Sequence, residues 1–198
     1  MDRKPDPDNV NVFDLDGTLI SVDSFVDITK LMLISLFKRV EFSFFIPLFF
    51  YCALRKLNLT SHLNFKRKVV DIFDKAFNED QKQDMVSKVF NNNIIKSVYD
   101  ILLRSDNCII STASPFAFTS RMNFRKDVLV ISSLMPNDEY PSPLNLSEGK
   151  VANLKYYFGN NDIRIVNFYT DSKLDGPLID LSLNAFMCSK DGCLTKIK

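Results

Sequence analysis

The chain has 198 residues, 46% of them hydrophobic and 25% charged, with a formal net charge of +1. That length suits one sizeable domain or a compact core with one insertion, and the balanced charge leaves no basic footprint for nucleic acid. Five scattered glycines exclude a Walker or dinucleotide-binding loop, and the single histidine, His62, leaves little for a zinc site or a histidine-based triad.

The first residues, Met1 to Asp8, are acidic and broken by proline, with no apolar run behind them, so the catalytic half is expected to face the cytoplasm. The four cysteines, Cys52, Cys108, Cys188 and Cys193, read as reduced, mostly buried thiols. Val10 to Phe13 is a short apolar run ending in carboxylates, which suits a buried strand opening into a site. From Asp23 to about Val89 the pattern is helical: Ser24 to Leu36, the very apolar Phe42 to Leu54 carrying Pro47, a helix capped by Thr60, and Glu79 to Phe90. Ile94 to Leu103 reads as a helix and Cys108 to Ser111 as a strand, and Ser114-Pro115 reads as a helix cap with proline at the first helical position. Val128 to Ser132 and Ile163 to Tyr169 are further strands, with a helix from Lys150 to Tyr157 between them. A short helix, Leu178 to Leu183, and a last strand, Ala185 to Cys188, complete the chain.

Strands alternating with helices predict an α/β fold with a parallel sheet, and the helical block after the first strand is an insertion. Residues 1–20 and 96–198 are assigned to the core and residues 21–95 to the helical cap.

Three predicted strands end in residues that phosphoryl transfer needs. The first delivers Asp14 and Asp16, the second Ser111 and Thr112, with Ser114 close behind. A later one delivers Asp171, with Asp175 four residues on, and Lys150 heads the preceding helix. One carboxylate of an Asp-x-Asp pair can attack phosphorus while the other serves as acid and then base. Mg²⁺ held by Asp14, Asp171 and the Asp16 position would relieve repulsion between carboxylates and phosphate. Lys150 and a hydroxyl such as Thr112 would stabilise the transferring oxygens. Singly, each feature has a plainer reading: a solvated strand end, a surface lysine, a helix cap. Their joint order carries the inference.

These residues resemble the haloacid dehalogenase (HAD) superfamily of aspartyl-phosphate hydrolases. The run Phe13-Asp14-Leu15-Asp16-Gly17-Thr18-Leu19 matches its first motif. Ile110 to Pro115 resembles the second, Glu148-Gly149-Lys150-Val151 the third, and Tyr169 to Leu178 the fourth. The resemblance implies a HAD-type Rossmann-like parallel sheet flanked by helices, with an all-helical cap inserted after the first strand. It implies Asp14 as nucleophile and metal ligand, Asp16 as general acid/base and further metal position, Asp171 as metal ligand, and Lys150 as charge stabiliser. Thr112 is implied to bind phosphate, with Ser111 and Ser114 as alternatives, and Asp175 and Thr18 to support the site. Thr170 stands where many relatives carry glycine. An insertion directly after the first motif is similar to the helical-cap (HAD-IB) branch, and most similar to phosphatidylglycerophosphatase C-like proteins. The sequence lacks a clear acidic and basic pair early in the cap of the kind that holds an amino acid.

The cap holds 11 of the 18 Phe. Phe42 to Leu54 is apolar on every face, which a small cap has little interior to cover. It is short of the roughly 20 residues of a span. Residues 31–56 are therefore expected to make interfacial contact with a membrane, with Lys38-Arg39 and Arg55-Lys56 at anionic headgroups, so that the protein sits peripherally on the cytoplasmic face. The expected substrate is a lipid-linked or amphiphilic phosphomonoester. The alternatives are a soluble metabolite phosphate, and a non-catalytic phosphate-binding module.

Overall fold

The computed structural model describes residues 5–136, 140–159 and 162–198. Met1 to Lys4, part of the segment from which the cytoplasmic orientation was read, lie outside the described residues. The sheet has six strands: β1 (Val10–Phe13), β2 (Cys108–Pro115), β3 (Leu129–Ser133), β4 (Ile165–Thr170), β5 (Ser182–Cys188) and β6 (Leu194–Lys196), in the order β3-β2-β1-β4-β5-β6. The first five run parallel and β6 is antiparallel. The chain winds one way from β1 to β2 and β3 and the other way to β4 and β5. The crevice beyond the carboxyl end of β1 is therefore the switch point, where such sheets take ligands.

Alternation along β1 sends Val10 and Val12 into one core and Phe13 into the other. On the first face they join Ile109, Phe168 and helices α7 (Glu148–Tyr157) and α8 (Gly176–Leu181). On the second, Phe13, Tyr169 and Phe186 stack across neighbouring strands at centroid distances of 4.6 and 5.0 Å. This second core runs without a break into the cap, so cap and sheet share one apolar interior.

The cap is formed by α1 (Ser24–Lys38), α2 (Phe42–Lys56), α3 (His62–Ala76) and α4 (Glu79–Asn92). α1 is capped by the Asp23 side chain, and α4 by a reciprocal Asn78–Gln81 box. α3 starts one residue later than the expected Thr60 cap, because it is the Ser61 hydroxyl that accepts from the Asn64 amide, at 3.2 Å. α2 carries Pro47 within it, and Leu48 is its one fully buried side chain.

Other boundaries also differ from expectation. α5 (Lys96–Arg104) starts two residues late, because Ile94 bridges to Ile20. Ser114 and Pro115 do not open a helix: both stay in β2, where the Ser114 hydroxyl is committed to Ser24, and the one-turn α6 (Phe116–Thr119) follows. A 3-10 turn, Lys173–Asp175, precedes α8. β6 was not anticipated; it is three residues long, too short to show a period.

Candidate active site

β1 ends at Phe13, and the Asp14 amide donates to the Tyr169 carbonyl at 2.9 Å, which fixes the chain between β1 and β4. A tight loop follows. The amides of Thr18, Leu19 and Ile20 converge on the Leu15 carbonyl, and Gly17 adopts φ +76°. A Cβ at Gly17 would lie 2.0 Å from Asp171 Oδ2. Glycine is required there on both counts, since its missing side chain is what lets the Asp171 carboxylate lie against the first loop.

Lys150, the third residue of α7, is buried and bridges two carboxylates, 2.7 Å from Asp14 Oδ1 and 2.8 Å from Asp175 Oδ2. The Thr170 hydroxyl also donates to Asp175 Oδ2 at 2.8 Å. Thr170 and Lys150 thus hold the Asp175 carboxylate between them. Asp16 faces the other way, with Oδ1 accepting from the Ser24 amide at the start of α1, at 2.9 Å. The loop after β1 sets the relation of Asp14 to Asp16.

The three hydroxyls of the second motif have different partners. Ser111 Oγ accepts from Asn145 Nδ2 at 3.0 Å, and Ser114 Oγ pairs with Ser24 Oγ at 2.8 Å. Thr112 Oγ1 accepts from the Ser114 amide at 3.0 Å, which leaves its own proton to donate. Thr18 is fully buried, and its Oγ1 is the one buried side-chain polar atom without a partner among the described residues.

The electrostatics follow from this crowding. Burial pushes Asp14 up to about 6, opposed by Lys150 and reinforced by Asp175. Burial, with the neighbouring Asp23 charge, pushes Asp16 up to about 7 against its hydrogen bonds from Ser24. Burial likewise raises Asp171. Burial opposes the charge on Lys150, but Asp14 and Asp175 outweigh it and the net shift is upward.

Two groups were missed. Lys66 of α3 is buried, donates to the Ala113 carbonyl between Thr112 and Ser114, and lies 5.1 Å over the Phe25 ring. Burial pulls its ammonium down to about 8, with Asp16 and Asp23 pulling the other way. The cap brings an acidic and a basic residue, Asp23 and Lys66, to the site, the lysine from its third helix rather than from early in the cap. The readable signal was a lysine in the buried stripe of α3, in line with Val69, Phe73 and Ala76. The second is Asn145, fully buried, whose Nδ2 donates to Ser111 Oγ, the Thr112 carbonyl and the Ile131 carbonyl at 2.8–3.1 Å. Asn153 of α7 donates to its Oδ1 at 3.2 Å, tying the end of β2 around Thr112 to the helix that carries Lys150.

Asp14, Asp16, Asp171 and Asp175 gather around Lys150 and Lys66, with Asp23 close by, so carboxyl groups outnumber ammonium groups and offer hard oxygen donors. That donor set fits Mg²⁺, with Asp14, Asp171 and the Asp16 main-chain carbonyl as the residues to hold it. Among the described residues no three His, Cys, Asp or Glu side chains form a ready-made metal cluster.

The arrangement is a Rossmann-like α/β core with a helical cap, and its polar site lies at the switch point. No protein-family model and no curated protein matches the chain. Solved structures share its fold. A protein of unknown function from Bordetella pertussis Tohama I superposes with a TM-score of 0.66 at 16% identity, over 92% of this chain and 91% of its own. A phosphoserine phosphohydrolase-like protein from Francisella tularensis subsp. tularensis SCHU S4 does so with 0.51 at 15%, over 92% and 88%. At these identities the likeness establishes the fold; the chemistry rests on the residues.

Proposed function

We propose that the protein is a Mg²⁺-dependent phosphomonoester hydrolase of the HAD superfamily, working through an aspartyl-phosphate on Asp14. The observation that carries this is the buried Lys150 ammonium shared by Asp14 and Asp175. The fold shared with a phosphoserine phosphohydrolase-like protein supports it.

The Asp14 carboxylate attacks phosphorus, and the bond from phosphorus to the ester oxygen breaks. Asp16, which keeps its proton to about 7, gives that proton to the leaving oxygen. As a carboxylate it then takes a proton from the water that attacks the acyl phosphate, releasing phosphate and restoring Asp14. Lys150, Lys66 and the Thr112 hydroxyl face the oxygens of the transferring group. Asp14, Asp171 and the Asp16 carbonyl would hold Mg²⁺, which supplies positive charge against those oxygens.

The preferred substrate is a lipid-linked or amphiphilic phosphate such as phosphatidylglycerophosphate, which matches the resemblance to phosphatidylglycerophosphatase C-like proteins and the apolar outer helix of the cap. A second reading, a soluble phosphoserine-like or sugar phosphate, draws on Asp23 and Lys66, which suit a small substrate with its own charges. The test is phosphate release with and without Mg²⁺ from phosphatidylglycerophosphate in mixed micelles, phosphoserine and sugar phosphates. Mg²⁺-dependent release that Asp14→Asn abolishes is expected, fastest on the lipid. Release only from the soluble esters supports the second reading. No release from any of them leaves a phosphate-binding module.

A further inference from the structure

The outward side of α2 has no cover. Phe42, Ser43, Ile46, Pro47, Phe49 and Phe50 are all exposed and carry no charge, with Ile46, Phe49 and Phe50 at 61%, 59% and 57%. Phe37 of α1, together with Leu57 and Leu59 past the end of α2, adds three more exposed apolar side chains. Single exposed apolar residues are ordinary, but a helix face made only of them marks a contact surface. Between α1 and α2 runs an apolar groove of about 340 Å³, lined by Leu33, Ile34, Phe37, Phe45, Phe49 and the stem of Lys38.

Charge is sorted around this face. Residues 38–75 hold eight Lys and Arg against three Asp and Glu, a net +5, while the rest of the chain holds 17 against 21, a net −4. Lys38 and Arg39 stand before α2, and Arg55 and Lys56 form its last turn. A second groove, of about 610 Å³, lies between α2 and α3 and is lined by Tyr51, Asn64, Arg67, Lys68 and Lys75 among others. Lys75 is paired with Asp71, whereas Arg67 and Lys68 form no ion pair among the described residues.

We propose that the outer face of α2 docks on an anionic lipid bilayer, with the helix lying in the interface and the basic α2–α3 groove receiving lipid headgroups. An apolar face rimmed by cations is the complement of such a surface. A second copy of the chain is a poor occupant, because stacking two such faces would bring two +5 regions together. Spanning is excluded for α2: its 15 residues reach about 22 Å against a hydrocarbon core of about 30 Å. No helix among the described residues is long and apolar enough to cross a membrane.

The docked helix leads through a short connection into α3, the helix that carries Lys66 to the site. Lys66 in turn meets the Ala113 carbonyl beside Thr112. A phosphate on a lipid docked at α2 would therefore reach Asp14 past α3 and its Lys66. This route rests on the phosphatase reading; the docking itself does not.

The full chain is floated with vesicles of phosphatidylcholine, with and without phosphatidylglycerol, as wild type, as Ile46→Glu/Phe49→Glu and as Arg67→Gln/Lys68→Gln. Expected are flotation only with the anionic vesicles, loss of that flotation in high salt, and binding weakened at least about tenfold in each double variant. Hydrolysis of p-nitrophenyl phosphate, which involves none of these four residues, should be unchanged and reports that the variants are folded. Failure to float, or flotation that neither double variant weakens, overturns the inference. So does a wild-type dimer by light scattering that Ile46→Glu/Phe49→Glu dissociates, because the face is then covered by another copy. Flotation needs no turnover, so a failure of the phosphatase reading appears only in the hydrolysis assay.

Discussion

Replacing Lys150 by Met keeps most of the stem volume and removes one charge. In the folded protein that charge lies 2.7 Å from Asp14 and 2.8 Å from Asp175, and the three side chains are 3%, 10% and 3% exposed. Its loss leaves two carboxylates buried side by side, with Asp171 close at hand. Breaking a buried pair from one side costs about 3–5 kcal/mol, and that is the destabilisation expected at pH 7.5. The pH dependence follows from the carboxyls. Asp14 already sits near 6 against an ordinary 3.8 with the lysine in place, and without it will sit higher. A carboxyl raised in the folded state contributes stability that is fully present below its unfolded pKa and is lost as the pH rises through its folded one. The deficit of Lys150→Met should therefore be largest at neutral pH and shrink to about 1–2 kcal/mol at pH 5. Urea unfolding of both proteins in EDTA at the two pH values measures it. A deficit under about 1 kcal/mol at pH 7.5, or one that grows on acidification, refutes the reasoning.

Asp16→Asn should lower the rate on alkyl phosphates by about 10²–10⁴ and remove the decline in phosphoryl transfer expected above about pH 7, where Asp16 loses its proton. Single-turnover pH profiles measure both effects, and an unchanged alkaline limb would remove Asp16 from the acid role. Gly17→Ala puts a methyl 2.0 Å from Asp171 Oδ2 at a φ of +76°. It should cost about 1–3 kcal/mol in thermal or urea unfolding and raise the Mg²⁺ concentration needed for half-maximal activity. Asn145→Leu strips three acceptors of a buried donor. About 2–3 kcal/mol of stability should go, together with weaker competitive inhibition by inorganic phosphate as the end of β2 around Thr112 loosens.

The gathering of Asp14, Asp171 and Lys150 could be read from the sequence because each sits at the end of a short buried strand or in the first turn of a helix. Val10 to Phe13 ends in Asp14, β4 ends just before Asp171, and α7 opens with Lys150 at its third position. Those are local patterns, visible in a window of a few residues. Lys66 and Asn145 could not be assigned in the same way, because their roles arise from contacts 47 and 34 residues away along the chain. Local rules also compete. Ser114-Pro115 has the form of a helix start, yet the Ser24–Ser114 hydroxyl pair keeps that segment in β2. Thr60 and Ser61 are both able to cap α3, and which one does so depends on where the α2–α3 connection delivers the chain. The apolar excess of α2 was evident at once, but that its charge-free side would be left open depends on how few side chains α1 and α3 bring against it.

Cap and core meet through one apolar interior and, among other polar contacts, through the Ser24 amide on Asp16, the Ser24–Ser114 hydroxyl pair, the Lys66 ammonium on the Ala113 carbonyl and the Arg121–Glu79 ion pair. Enclosing Lys66 lowers it from 10.5 to about 8, so its charge is held under the cap against its burial. A negatively charged group arriving beneath Lys66 would relieve that cost, and the charge of a phosphate would then tighten cap on core.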